Sequence, residues 1–270
     1  MSQFYQVVEI EGKGLGCVAT KGIKRGTLIL REKAQIFDNG NGNFGSKPWI
    51  KGLVKSFNEM TKSNQEEYLK LNKIFKVNQL KKLTSTVTQM YGNEHDDPEK
   101  ILEILNIFES NHFQSKNGNC VSIPVSKFNH SCNPNTGLFI SSNGDFFLRT
   151  IKSIKSGKEI NFCYNESECI LRNRQHRQKY LREDCGFRCL CKYCKNDKGH
   201  KDAIEEFELL MEERDKFDAQ IEEMVMRRPS QTDCTISILK ENVGSYKDMY
   251  SLAKKKKASL TLIYRGVYLA

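Results

Sequence analysis

Two features of membrane or secreted proteins are absent from the 270-residue sequence. No apolar run is long enough for a transmembrane helix, and the first residues, MSQFYQVVEIEGKG, lack the basic and apolar regions of a secretory signal. Glycosylation of Asn129, in Asn-His-Ser, and a disulfide framework for the ten cysteines both require the secretory route. We therefore expect an intracellular protein, in the nucleus or the cytoplasm, whose thiols are free or metal-bound.

Hydrophobic residues are also scarce, at 38% of the chain, but fifteen Phe and ten Tyr can still fill a core. Global disorder is therefore not expected. The formal net charge of +10 favours acidic partners, nucleic acid included, without indicating a fold. The length suits one large domain with an appendage, or two smaller domains.

Apolar periodicity and turn residues predict a mixed α+β chain. Strands are expected over residues 4–37 as FYQVVEI, CVAT and TLILREKAQIF, separated by the turns EGKGLG and KGIKRG. Residues 49–109 show helical spacing, and Asp97 followed by Pro98 suits the start of a further helix. Strands return after residue 111 as NCVSIPV, TGLFIS, DFFLRTI and EINFCY, with SSNG as a hairpin turn between the second and the third.

The segment CGFRCLCKYC places Cys185, Cys189, Cys191 and Cys194 within ten residues. Zinc prefers four thiolate or imidazole ligands in a tetrahedron, and short Cys-x-Cys and Cys-x-x-Cys turns supply several of them. A redox Cys-x-x-Cys would instead open a helix after a strand, which this polar segment does not suggest. We expect zinc, and the fourth ligand is open among Cys185, His200 and Cys132.

The C-terminal part of the sequence also suggests helices. Apolar residues between 201 and 226 fall on one broad helical face, and Pro229 ends the pattern. The KKKK run at 254–257 is more typical of a solvated helix face than of a localisation signal.

The polar run FNHSCNPN, residues 128–135, would on its own be read as a surface turn. Together with GKGLG, GKEINFCYNE and FRCLCKYC, which occur in order, it resembles the SET-domain protein lysine methyltransferases over residues 4–195. The long insert and the NHF at 111–113 resemble the SET-and-MYND branch. Residues 39–110 contain no cysteine, so the MYND zinc finger, with its partner-binding and nucleic-acid-binding roles, is absent.

This resemblance implies a β-rich α+β SET fold, with short strands in small sheets and a threaded loop. It divides the chain into five segments. They are N-terminal SET strands (1–38), a helical insert (39–110), the SET core (111–184), a zinc-bound post-SET segment (185–200) and a helical C-terminal extension (201–270).

The resemblance also implies roles for individual residues. The glycine turn would wrap the methionine end of S-adenosylmethionine, where the backbone must approach the ligand closely, and Phe187 would pack on the adenine. Tyr164 would be the catalytic tyrosine. Phe162, two residues earlier and expected on the same strand and face, would favour higher methylation states. The cofactor-binding positions are Gly12, Lys13, Gly14, Leu15, Asn111, Asn129, His130, Tyr164 and Phe187, and the ligands of one structural zinc are Cys132, Cys189, Cys191 and Cys194.

The implied activity is methyl transfer to a lysine side-chain amine of a histone or another protein, by a monomer that does not bind membranes. Two alternative functions belong to other classes of protein. A catalytically inactive SET fold that binds partners is disfavoured by the complete cofactor set and Tyr164. A basic zinc-containing nucleic-acid-associated protein is supported by the charge, but no basic and aromatic pattern of a known nucleic-acid module occurs.

Overall fold

The computed structural model describes residues 3–38, 42–74, 77–92, 97–165, 169, 172 and 174–195. The predicted C-terminal helix, the KKKK run and His200 lie outside these residues. Within them, no helix combines the length and the apolar character needed to cross a membrane. The chain divides into two compact units, Met1–His130 with Pro134–Phe162, and Ser131–Asn133 with Cys163–Ala270. The five-segment division by family resemblance stays a prediction.

The described part of the first unit contains three small sheets. Their strand orders are β1-β2-β10-β7, β3-β9-β8 and β4-β6-β5, in which β7 and β10 pair in parallel and the other neighbours are antiparallel. The strands are β1 (Tyr5–Ile10), β2 (Gly14–Ala19), β3 (Leu28–Lys33), β4 (Ile36–Asp38), β5 (Phe113–Ser115), β6 (Gly118–Val121), β7 (Asn129–His130), β8 (Thr136–Ile140), β9 (Asp145–Thr150) and β10 (Glu159–Phe162).

Four helices fill the segment that was predicted to be helical: α1 (Lys47–Asn58), α2 (Lys62–Leu69), α3 (Val77–Tyr91) and α4 (Pro98–Asn111). The predicted cap of α4 is confirmed, because the Asp97 carboxylate accepts hydrogen bonds from the backbone N–H groups of Glu99 and Lys100. Leu83 and Val87 of α3 lie in one buried apolar cluster with residues of the other helices. This cluster is the core of the helical insert, which the insert shares with the strands β4 and β6.

The hairpin predicted around SSNG is confirmed, since β8 and β9 pair on either side of it. Leu148 of β9 is buried, together with Phe128 and Ile160, in the second apolar cluster. The same cluster includes side chains from all three sheets, among them strands β2 and β10.

Three predicted strand boundaries are wrong. The glycine-rich turn covers only residues 11–13, because β2 already begins at Gly14. The stretch TLILREKAQIF is two strands, since the chain changes partners: the Ala34 N–H donates to the Gly144 carbonyl and the next N–H, of Gln35, to the Val121 carbonyl. NCVSIPV leaves the sheet after Val121 and continues into a 3-10 turn.

The described part of the second unit contains two helices, α5 (Arg174–Glu183) and α6 (Lys192–Lys195). The sequence did not predict α5. Its buried side chains are Arg177, Gln178 and Leu181, so only one of the three is apolar. A helix whose buried side is polar shows no hydrophobic periodicity, which is why the pattern missed it.

Candidate active site and metal centre

The predicted cofactor turn is a tight connection between β1 and β2. Gly12 and Gly14 have φ angles of 72° and 70°, in the left-handed region where glycine carries no steric cost. The Lys13 N–H donates to the Ile10 carbonyl at 2.9 Å. The Lys13 ammonium donates to the Glu159 carboxylate at 2.6 Å, which ties the turn to the neighbouring strand β10.

Asn129, from the polar run, contacts Glu159 and the strand β2 just after the same glycine turn. Its amide nitrogen donates to the Leu15 carbonyl and to the Glu159 carboxylate, at 3.1 Å each. A Cβ on Gly16 would lie 2.5 Å from this nitrogen and 2.4 Å from Ile10 Cδ1, so only glycine leaves room for it. The structure thus brings the turn and Asn129 together around Glu159. Sequence reasoning missed Glu159 and the packing role of Gly16.

The end of the polar run is hydrogen-bonded to β10. Asn135 and Asn161 exchange hydrogen bonds, each backbone N–H donating to the other side-chain oxygen, at 3.2 and 3.0 Å. The Asn135 amide nitrogen also donates to the Glu159 carbonyl at 2.8 Å. The neighbouring β7 places His130, which is buried, opposite Phe162. Part of the polar run therefore satisfies backbone groups at the site instead of facing solvent.

Asn111, another predicted cofactor residue, ends α4. Its amide nitrogen donates to the carbonyls of Ile107 and Asn72, both at 2.8 Å. These bonds join the end of α4 to the segment after α2. The structure therefore bonds the Asn111 amide nitrogen to residues of the helical insert and not to the glycine turn.

Phe162 is buried at the end of β10, and its ring packs against that of Phe113 with centroids 5.9 Å apart. The prediction that Phe162 and Tyr164 share a strand is wrong. The strand β7 pairs only with Asn161 and Phe162, so the ladder stops before Tyr164. Their side-chain directions are therefore not set by strand alternation.

Tyr164 belongs to the second unit, where 36% of its surface is exposed. Its ring meets that of Phe187 edge to face, with centroids 6.1 Å apart and an interplanar angle of 81°. This is a favourable aromatic geometry. The structure therefore brings together the predicted catalytic tyrosine and the predicted adenine-packing residue.

The four predicted zinc ligands form one cluster in the second unit. The Cys132 Sγ lies 3.9 Å from that of Cys189 and 3.6 Å from that of Cys194, and all four Sγ atoms, including that of Cys191, lie within 4.8 Å of one another. A tetrahedron with Zn–S bonds of about 2.3 Å has S···S edges of roughly 3.8 Å. A disulfide would need about 2.0 Å. The spacing fits a metal centre.

The thiols of this cluster hydrogen-bond to one another. Hydrogen bonds from Cys132 and then Cys189 lower the pKa of Cys194 to about 7, and the same two partners lower the pKa of Cys191. The pKa of Cys189 is raised instead, chiefly by the hydrogen bond between Cys189 and Cys132. The pKa is raised for two of the four thiols and lowered for the other two, as expected for sulfur atoms that are close enough to hydrogen-bond to one another.

Two other cysteines lie near this cluster. Cys185, the alternative ligand from the sequence, is half-buried and outside the group of four. Cys169 is fully buried and hydrogen-bonds with Cys132, although nothing in its local sequence singled it out. The geometry therefore favours Cys132 over Cys185 as the fourth ligand.

A family model described as SET domain matches residues 14–165, more than half of the chain. The chain belongs to the SET-domain family. The predicted family and the α+β SET fold class are thereby confirmed, and the motifs from Gly14 to Tyr164 fall within the matched SET domain.

Curated relatives of this SET domain include methyltransferases. A SET domain-containing protein of Acanthamoeba polyphaga mimivirus is 29% identical over 69% of this chain and 76% of its own length. The histone-lysine N-methyltransferase set5 of Schizosaccharomyces pombe is 26% identical over 72% of this chain and 51% of its own. The histone-lysine N-methyltransferase SMYD3 of Mus musculus is 26% identical over 54% of this chain and 36% of its own length. The chain thus spans about half or less of these two methyltransferases.

Among solved structures, the SET domain of LSMT bound to lysine and AdoHcy aligns with a TM-score of 0.45 and 16% identity, covering 69% of this chain and 53% of that chain. Rubisco LSMT bound to AdoMet aligns with a TM-score of 0.44 and 17% identity, covering 69% and 52%.

Proposed function

We propose that this SET domain is a protein-lysine N-methyltransferase that uses S-adenosylmethionine. The observation that carries the proposal is the hydrogen-bonded frame in which Glu159 holds both Lys13 and Asn129 beside the glycine turn. Relatives named as histone-lysine N-methyltransferases support the same reaction class. They also make histones the first substrates to test, and a nuclear or cytoplasmic location remains part of the proposal.

The residues present fit the cofactor. The left-handed glycines at 12 and 14, where a Cβ would meet nothing within 4 Å, leave the backbone of the turn open to a ligand, and Gly16 makes room for the Asn129 amide. Bound S-adenosylmethionine would supply an electrophilic methyl group on a sulfonium. Its proposed binding residues are Gly12, Lys13, Gly14, Leu15, Asn111, Asn129, His130, Tyr164 and Phe187.

The protein's own residues would prepare the lysine. A free lysine amine has a pKa of about 10.4 and must be neutral before it can attack. Aromatic rings exclude water and disfavour the ammonium form. The Tyr164 hydroxyl would accept a hydrogen bond from the amine and orient its lone pair, so that catalysis comes mainly from positioning. The buried Phe162 would leave room for an already methylated amine.

The thiol cluster would hold one structural zinc through Cys132, Cys189, Cys191 and Cys194. The metal would join the short segment Ser131–Asn133 to the region of α6 within the second unit. Its role would be to fix the loop that carries Phe187.

The direct test is incubation of the protein with labelled S-adenosylmethionine and a panel of histones and cell extract. Label on a lysine of a protein substrate supports the proposal. Calorimetry with S-adenosylmethionine alone gives an independent result, and no binding by the wild type would remove the enzyme assignment.

A further inference from the structure

Building on the proposed zinc centre, we propose that Arg177 and Gln178 of α5 position its thiolates, Arg177 as the counter-charge and Gln178 as the backbone anchor. Neither residue matches any family motif in the sequence. Both point from one helix to the same thiol cluster, and both are at least nine-tenths buried, at 1% and 8% exposure.

Gln178 fixes the backbone of one proposed ligand. Its amide nitrogen donates to the Cys189 carbonyl at 2.7 Å, and its amide oxygen accepts from the Cys189 N–H at 3.2 Å. A single side chain thus satisfies both the N–H and the carbonyl of Cys189. Both groups are buried, where the loss of either hydrogen bond would be costly. The Cys189 sulfur itself accepts from the Cys191 N–H at 3.4 Å, so the orientation of this residue is determined from two sides.

Arg177 brings a permanent positive charge into the same place. One guanidinium nitrogen, Nη1, donates to the Arg172 carbonyl at 2.5 Å, and Nη2 lies 3.8 Å from the Cys194 sulfur. The guanidinium carbon lies 4.5 Å from the centre of the Tyr193 ring. Arg177 thus contacts two residues of the CKYC turn.

The charge balance is the reason for the proposal. A buried cation is expensive unless an anion accompanies it. None of the ion pairs found among the described residues includes Arg177. Four thiolates around Zn²⁺ carry a formal charge of −2, which makes the cluster the anion that Arg177 would accompany. Hydrogen bonds from outer groups to metal ligands commonly raise metal affinity by about 10–100-fold.

A packing role for Arg177 would predict a different effect of substitution on the metal site. If Arg177 only fills space against Tyr193, an uncharged side chain of similar length should preserve the metal site. The variant Arg177→Met keeps much of the volume and removes the charge, whereas Arg177→Lys keeps the charge and removes the planar fork. The exposed Arg182 and Gln175 of the same helix provide matched controls.

The experiment measures zinc release from the 270-residue chain to a chromogenic chelator for Arg177→Met, Gln178→Met, Arg182→Met and Gln175→Met. We expect release to be about 10–100-fold faster in the first two variants and unchanged in the controls. Arg177→Lys should lie between Arg177→Met and the wild type. Release at the wild-type rate from both Arg177→Met and Gln178→Met would overturn the proposal. A wild type without zinc would instead refute the zinc centre on which it rests.

Cobalt substitution supplies a second readout. The sulfur-to-cobalt charge-transfer band reports the electron density on the thiolates, so loss of an N–H···S contact should shift it. If Arg177→Met does not fold, Arg177→Lys with wild-type circular dichroism carries the test. A shifted band supports the proposal, and a wild-type band with wild-type zinc release contradicts it.

Discussion

The Sγ atoms of Cys132 and Cys189 lie 3.9 Å apart, although 57 positions separate the two residues in the chain. A metal that bridges them closes a long loop and removes conformational entropy from the unfolded chain. Zinc binding and the stability of the second unit should therefore be coupled.

Removal of zinc should expose four thiols together. A chelator should lower the melting temperature and allow alkylation of Cys132, Cys189, Cys191 and Cys194 at about pH 8. Peptide mass spectrometry before and after chelation measures this. The same alkylation pattern in both samples would contradict a metal bound by these four residues.

Cys17 and Cys120 serve as internal controls for that experiment. Burial raises the pKa of both thiols to about 12, because the charged form is poorly solvated. At about pH 8 only ~10⁻⁴ of each is a thiolate, so both should stay unmodified with or without the chelator. Their contribution to folding is present below pH 9, the ordinary thiol value, and is lost as the pH rises towards about 12.

The two candidate fourth ligands can be separated by substitution. Cys132→Ala should lose most of the bound zinc, since its sulfur lies inside the cluster, whereas Cys185→Ala should retain it. Metal analysis of the purified variants decides between them. Full zinc retention in Cys132→Ala with loss in Cys185→Ala would reverse the assignment.

A methyl group at Gly16 should disturb cofactor binding. In Gly16→Ala the new Cβ would overlap the Asn129 amide nitrogen and the Ile10 side chain, at 2.5 and 2.4 Å. Overpacking of this kind costs about 1–3 kcal/mol and is relieved when the Asn129 amide moves away, so we expect S-adenosylmethionine, which Asn129 is proposed to bind, to bind roughly tenfold more weakly by calorimetry. Gly22→Ala, where a Cβ meets nothing within 4 Å, is the control. Equal affinities in the two variants would count against Asn129 as a cofactor residue.

Local patterns in the sequence predicted the local features of the fold. Helical spacing located the block of α1 to α4, and Asp97 with Pro98 marked the start of α4, because capping depends on neighbouring residues only. The SSNG hairpin was predictable for the same reason. The link between Cys132 and the CLCKYC segment came from family resemblance, since spacing alone left three candidates.

The features that the sequence did not predict depend on distant partners. The break between β3 and β4 follows from a change of partner strand, and the end of β10 follows from the two-residue length of β7. Glu159 lay in a recognised motif, but its contacts come from residues 13 and 129. The helix α5 was missed because two of its buried side chains are polar: Arg177 lies beside the Cys194 thiol, and Gln178 binds the Cys189 backbone.

Two tyrosine hydroxyls should respond in opposite ways to substitution by phenylalanine. Tyr68→Phe should behave as a structural change, because the Tyr68 hydroxyl is buried and donates to the Ile104 carbonyl at 2.9 Å. Its loss should lower the free energy of unfolding by about 1 kcal/mol and leave activity per folded molecule unchanged. Denaturant unfolding and turnover assays measure both quantities.

Tyr164→Phe should give the opposite pattern. Its hydroxyl is proposed to act on the lysine amine in the transition state, so kcat should fall about a hundredfold or more while the affinity for S-adenosylmethionine stays close to that of the wild type. The edge-to-face packing on Phe187 needs only the ring and should be kept in this variant. Turnover of Tyr164→Phe equal to that of the wild type, on a substrate that the wild type methylates, would refute the catalytic role of this tyrosine.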